Sequence, residues 1–163
     1  MFKTFMNIDN LKITGESKDA KHKNWIDVLS FHWDVMSPQS LRTGETTGPY
    51  QLSLFGIVKV HDMSSTALMG ALVQNKCFDS VKLEVCYKGG DHDGMKLVEY
   101  GLSDVVIASY KLRAETVGED RTGAPLEDIA LSYGKIRISG YAIDEKNISK
   151  LAGEVELSWK GRA

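Results

Sequence analysis

Six side chains of this 163-residue chain are the first candidates for metal or nucleophilic chemistry: His22, His32, His61, His92, Cys77 and Cys86. A zinc protease sets two histidines one helical turn apart around a glutamate, and neither HExxH nor His-x-x-x-His occurs. The cysteines stand nine residues apart, which is neither a CxxC redox pair nor a zinc-finger spacing. Cys86 falls within an alternating strand pattern, where a small buried or half-buried thiol is the expected state. His61-Asp62 and Asp91-His92-Asp93 set imidazole beside carboxylate, the pairing that acid–base or metal chemistry uses. The triplet lies in the glycine turn Gly89 to Gly94, where Asp and Gly serve backbone conformation, and both pairs read as structural or solvated. There is no Gly-x-Ser-x-Gly elbow, P-loop or dinucleotide fingerprint, and no carboxylate pair singled out for glycoside hydrolysis. The residue types thus predict no catalytic centre, no cofactor and no metal site.

The elements around these residues are mostly strands. Hydrophobic residues make up 42% and charged residues 26% of the chain, enough for one substantial core, so a single domain over residues 1–163 is expected. Twenty basic residues against 22 acidic ones give a net charge of -2. That balance concentrates no basic surface, so neither nucleic acid nor an anionic membrane is an expected partner. The first residues lack the apolar run of a signal peptide, and no stretch reaches transmembrane length. Synthesis and folding in the cytoplasm are expected, with any export by a route that does not thread an unfolded chain.

Period-two alternation in short segments, separated by Gly, Pro, Asn, Asp and Ser clusters, predicts an all-β fold of eight to ten strands. Strands are expected at Phe2 to Asp9, Trp25 to Val35, Tyr50 to His61, Val81 to Tyr87, Met95 to Tyr100, Asp104 to Arg113 and Gly153 to Trp159. Leu126 to Tyr133 and Lys135 to Ile143 read as a meander through Gly134. In Trp25 to Val35, Leu29, Phe31, Trp33 and Val35 should face the core, with Ser30, His32 and Asp34 opposite. Leu52, Leu54, Val58 and Val60 should share a face of the next strand. One segment breaks the rhythm: Leu68, Met69, Leu72 and Val73 recur at helical spacing within Ser64 to Lys76, capped by Asp62, Ser64 or Ser65. Ser37 to Pro49 and Gly118 to Pro125 are long polar loops.

Gly15-Glu16-Ser17-Lys18-Asp19, then His22, then Ile26-Asp27-Val28-Leu29-Ser30-Phe31-His32-Trp33 closely resembles the Hcp family of type VI secretion. The similarity continues through Asp62 to Leu68 at the helix start, Phe78 with the Val81 to Tyr87 strand, and Gly118-Glu119-Asp120-Arg121 before Leu126 to Ile138. The chain departs from the family at its last strand, where Glu154-Val155-Glu156-Leu157-Ser158-Trp159 stands in place of a Gly-Trp pair. The resemblance implies two packed antiparallel sheets in a barrel-like unit with one short lateral helix. It also implies a homo-hexamer, stacked rings forming an inner tube, and a spike protein, contractile sheath and secreted effectors as partners. Secretion through that machine, without a signal peptide, follows from the same resemblance.

Two surfaces are candidates for such work. Ser30, His32 and Asp34 face either the lumen, where they would meet cargo, or plain solvent. The bare segment from Leu41 to Pro49, with Arg42, Thr43, Gly44, Glu45, Thr46 and Thr47 at its centre, is either mobile or ordered by an adjacent ring or subunit. The competing class is a β-sandwich that binds a small ligand, with Trp25, Trp33, Tyr50 and Tyr87 lining the site; at strand spacing such aromatics more often fill a core.

Overall fold

The structure, a computed structural model, describes residues 1–114 and 123–159. Residues 118–122 of the second polar loop, with its Gly118-Glu119-Asp120-Arg121 run, lie outside them. In chain order the elements are β1 (Phe2–Ile8), β2 (Ile26–Val28), β3 (Ser30–His32), β4 (Val35–Met36), β5 (Gln51–Leu52) and β6 (Phe55–Val60). They continue with α1 (Ser65–Val73), β7 (Cys77–Tyr87), β8 (Lys96–Arg113), β9 (Leu126–Ser132), β10 (Lys135–Ile143) and β11 (Ser149–Ser158). Every strand pair is antiparallel. Nine strands form one sheet, ordered β2-β1-β7-β8-β9-β6-β3 with β10 and β11 branching from β8, while β4 and β5 pair apart.

β8 organises the fold. Its first half lies between β7 and β10, and its second half pairs with β9. The sequence reading divides this strand in two, Met95 to Tyr100 and Asp104 to Arg113. Instead Asp104 alone takes the left-handed conformation (φ 53°), and the ladder to β7 resumes at once with Val105 opposite Phe78. Short polar Asp tolerates that conformation as a single residue, so the strand bends and does not end. Gly134 fits against this bend. Its N–H donates to Ser103 O at 2.8 Å, and a Cβ there would stand 3.2 Å from the Asp104 carboxylate. β9 and β10 are consequently not the meander expected through Gly134; they flank different halves of β8.

The expected strand Trp25 to Val35 is divided into β2, β3 and β4. β2 pairs with β1, β3 pairs with β6, and the Leu29 N–H donates to Val58 O at 2.8 Å between them. One short segment thus draws the two ends of the sheet together, giving a barrel-like curl that closes into no barrel among the described residues. Changing partner also changes phase. Phe31 and Trp33 pack against the core as expected, but Leu29 is 60% exposed and Val35 47%.

Met6, Ile8, Phe55, Ile57, Leu68, Phe78, Leu83, Leu102, Val105, Leu131 and Ile136 build the core inside the curl. In the expected strand Tyr50 to His61, the irregular Ser53-Leu54 resets the alternation. Phe55, Ile57 and Lys59 face inward, Leu54 is exposed, and Val58 and Val60 are half-buried, opposite to the expected phase. Lys59 is fully buried because a buried anion meets it. Its Nζ contacts the Glu127 carboxylate, donates to Ser65 Oγ at 3.2 Å and Val60 O at 3.1 Å, and lies 3.0 Å from Asp62. This network anchors the start of α1, where Asp62 accepts the Ser64 N–H at 2.9 Å. Leu68 and Ala71 are buried and Val73 is exposed. Asn75, left-handed at φ 52°, ends the turn, and Lys76 follows beyond the helix.

Candidate functional site

The segment expected to be a bare loop is an arm. β4 and β5 form its root, with Val35 opposite Leu52 and Met36 opposite Gln51. Pairing continues outward through Thr47 N–H to Pro38 O at 2.9 Å, a Gln39–Thr46 bridge, and Ser40 N–H to Glu45 O at 2.7 Å. Gly44 closes the tip with φ 72°, a conformation that glycine adopts without steric cost. Ser40 and Thr43 hydroxyls accept nearby backbone N–H groups at 3.3–3.4 Å, ordering the tip locally. The arm has little core of its own: Leu41 is fully exposed and Met36 is 62% exposed. An isolated hairpin with exposed apolar side chains is marginal in water.

Ser30, His32 and Asp34 are all exposed and lead directly into this arm. His32 lies flat across β6. A Cβ on Gly56 would come within 2.1 Å of the imidazole ring, so Gly56 is the residue that lets it settle there. Asp34 and Ser53 clamp the root reciprocally, through Asp34 N–H to Ser53 Oγ at 2.8 Å and Ser53 N–H to Asp34 O at 3.0 Å. The two predicted surfaces are therefore one continuous feature.

A third surface lies along the last strand. β11 is the outer strand beyond β10, and alternate residues Val155 and Leu157 stand opposite Ile138 and Ile136 on the core face. Ile136 is buried, whereas Val155 is 48% exposed. The apolar face thus runs past the edge of its own cover. The opposite face is lined with ion pairs such as Arg137–Glu156 at 3.0 Å and Lys82–Glu99 at 3.8 Å. The pairing shifts at Gly140/Tyr141, so Leu151, 56% exposed, stands opposite Tyr141 on that same face, where Ile148 also lies. Alternation identified β11 as a strand, but no local pattern says that a strand lies outermost.

The side chains with chemistry sort differently from the sequence reading. His61 and Asp62 belong to the Lys59–Glu127 network, His61 Nδ1 lying 3.6 Å from Glu127. Asp93 accepts the Gly89 N–H at 2.7 Å within a turn whose Gly89, Gly90 and Gly94 are all left-handed, as the turn reading expects. Trp33 Nε1 donates to Tyr133 Oη at 2.6 Å, and Tyr50 Oη donates to Ser158 O at 3.1 Å, so both polar ends bind the protein itself.

By sequence His22 is one of four scattered histidines, and here the structure differs. Gly15 permits the loop that carries it, since a Cβ there would stand 2.4 Å from Trp25 O. The imidazole is buried, stacked on Phe5 at 4.1 Å. Nδ1 meets Asp19 at 2.7 Å, Nε2 meets Glu84 at 2.6 Å, and Cys86 Sγ lies 3.9 Å from Nε2. Burial works against charge on His22, but hydrogen bonding with Cys86, Glu84 and Asp19 outweighs it and pushes its pKa up to about 10. The Lys88 ammonium, with His22, holds Asp19 well below the usual carboxylate range. Glu84 is also lowered, burial being outweighed by His22 and Lys96. Asp19-x-x-His22 was the available local signal; Glu84 and Cys86 arrive from more than 60 positions away.

Comparison with known proteins agrees with this architecture. The profile described as type VI secretion system effector, Hcp, matches residues 5–139. Protein hcp1 of Pseudomonas aeruginosa strain PAO1 is 28% identical over 163 residues, covering 97% of this chain and 94% of that protein. A solved type six secretion system protein, 28% identical, superposes with a TM-score of 0.85 over 100% of this chain and 99% of that one. Hcp1 from Salmonella typhimurium, at 21% identity, shares the fold with a TM-score of 0.74 over 100% and 99% of the two chains. With a profile that spans most of its length and a fold that superposes throughout, the chain belongs to the Hcp family of type VI secretion system proteins.

Proposed function

We propose that this chain is a single-domain tube subunit: copies close into a hexameric ring, and rings stack into an inner tube that sheath contraction expels. It acts structurally, with no catalytic step of its own. The observation that carries this reading is β11, a ten-residue outer strand whose Val155 is exposed beside the buried core. An open edge of that length is a template for uncontrolled pairing. A head-to-tail contact whose rotation closes covers every such edge with the next copy and leaves none at the end.

The arm serves the second direction of assembly, reaching from one ring to the next. Deleting Thr43–Thr47 is expected to leave individual rings intact and to shorten or abolish stacks, scored by electron microscopy of negatively stained samples. Unchanged stacking would remove the arm from this role.

Ser30, His32 and Asp34 line the lumen on this reading and meet secreted effectors there, while the tube's ends meet the spike and its outer wall the sheath. Changing His32 to glutamate should leave rings unaltered and weaken retention of an effector by about tenfold, as the loss of one well-placed contact does. The readout is co-purification of tagged effector with preformed rings. Ring loss in that variant would instead place His32 in a subunit contact.

A further inference from the structure

We propose that His22, Glu84 and Cys86 form a binding site for a zinc-class divalent cation, with Asp19 behind the histidine and the fourth coordination position facing a cleft. Glu84 and Cys86 are two apart on β7, so both side chains project from the same face of the strand. The loop carrying His22 lays the imidazole over that face. One nitrogen, one carboxylate oxygen and one sulfur atom come within 4.8 Å of one another.

Zinc takes such ligands at about 2.0–2.3 Å, which sets tetrahedral ligand atoms roughly 3.3–3.7 Å apart. Nε2 lies 2.6 Å from Glu84 Oε2 and 3.9 Å from Cys86 Sγ, on either side of that range. Side-chain adjustments of about an ångström therefore centre an ion between them. Asp19 on Nδ1 is the carboxylate partner that zinc-bound histidines characteristically have, fixing the ring with Nε2 toward the metal. The thiolate favours zinc or cobalt over magnesium or calcium, which require oxygen ligands.

Charge also fits. The imidazolium loses its Nε2 proton and the thiol its Sγ proton, both to solvent, and one divalent cation takes their place. The net charge of the cluster is the same before and after. Lys96 stays on the other Glu84 oxygen, Oε1, at 3.2 Å, and Lys88 stays on Asp19, so neither lysine occupies the cation's position. The cleft above, about 550 Å³ and bordered by Trp25, Met95, Tyr141 and Ile148, gives the ion a way in and leaves room for a water as fourth ligand.

The test is titration of the purified protein with Co²⁺ at mildly alkaline pH, read by absorption. One equivalent should produce a thiolate-to-cobalt charge-transfer band with the intense visible bands of tetrahedral cobalt, and Zn²⁺ should displace both. Cys77→Ser should retain the spectrum, because Cys77 is the exposed thiol elsewhere on the strand. Cys86→Ser should lose the charge-transfer band while keeping the far-ultraviolet circular dichroism of the parent. Glu84→Gln, which keeps both thiols, should weaken Co²⁺ binding at least ~10-fold. Absence of a charge-transfer band in the parent protein, or a band that follows Cys77 and survives Cys86→Ser, overturns the proposal.

Discussion

Replacing Val155 with aspartate is expected to turn assembled rings into folded single chains. Val155 is half exposed in the isolated chain, so the substitution removes little from the subunit's own core, and exposed positions typically change stability by less than about 0.5 kcal/mol. In the proposed ring the same side chain would be buried by the neighbouring copy. Losing it there costs about 1.5–3 kcal/mol per interface, and an unpaired carboxylate driven into that contact adds more. Each ring repeats the defect at every interface, so the assembly equilibrium moves by many orders of magnitude. Light scattering should report a particle near the 18.1 kDa of one chain, with an unfolding midpoint close to that of the dissociated parent. Rings that persist in Val155→Asp would move the ring contact away from β11.

The second large effect is inside the fold. Lys59→Met should destabilise the subunit by about 3–5 kcal/mol, because it leaves the fully buried Glu127 carboxylate without its cation. For a chain of this size that corresponds to a fall in Tm of roughly 6–20 °C. The cost comes from the stranded charge more than from the lost contact. The double substitution Lys59→Met with Glu127→Leu should therefore recover more than half of the loss, since an apolar pair can replace a buried ion pair at little cost. Urea unfolding of the three variants measures both numbers. A single-variant loss under about 1 kcal/mol would mean that water or His61 compensates Glu127.

These two sites mark where the sequence is readable and where it is not. Alternation located nearly all the strands, and helical spacing located α1, because each follows from the faces of a few neighbouring residues. The Gly89–Gly94 turn was equally plain, since only glycine takes left-handed φ freely. The block from Gly15 to Trp33 carried the family likeness, and Gly15 shows a physical reason for part of it: the loop crosses Trp25 too closely for a side chain.

What escaped was set by partners distant in the chain. Lys59 reads as solvent-facing until Glu127, 68 residues away, supplies its counter-charge and reverses the expected phase of β6. Leu29 and Val35 fit a continuous amphipathic strand, but the chain changes neighbours between β2, β3 and β4, and each change resets which face is inside. The break expected between Tyr100 and Asp104 is only a bend, because the ladder to β7 on one side carries the backbone through. The same limit concealed the His22 cluster and the outermost position of β11. The predicted arm residues Arg42 to Thr47 were legible as a segment without a core, and their pairing into a hairpin was not.

The reading as a tube subunit is tested most directly by negative-stain electron microscopy of the purified protein, with light scattering for mass in the same buffer. The account predicts sixfold rings with an open centre and a mass close to that of a hexamer of 18.1-kDa chains. A compact particle with the mass of one chain, even at high protein concentration, would contradict it.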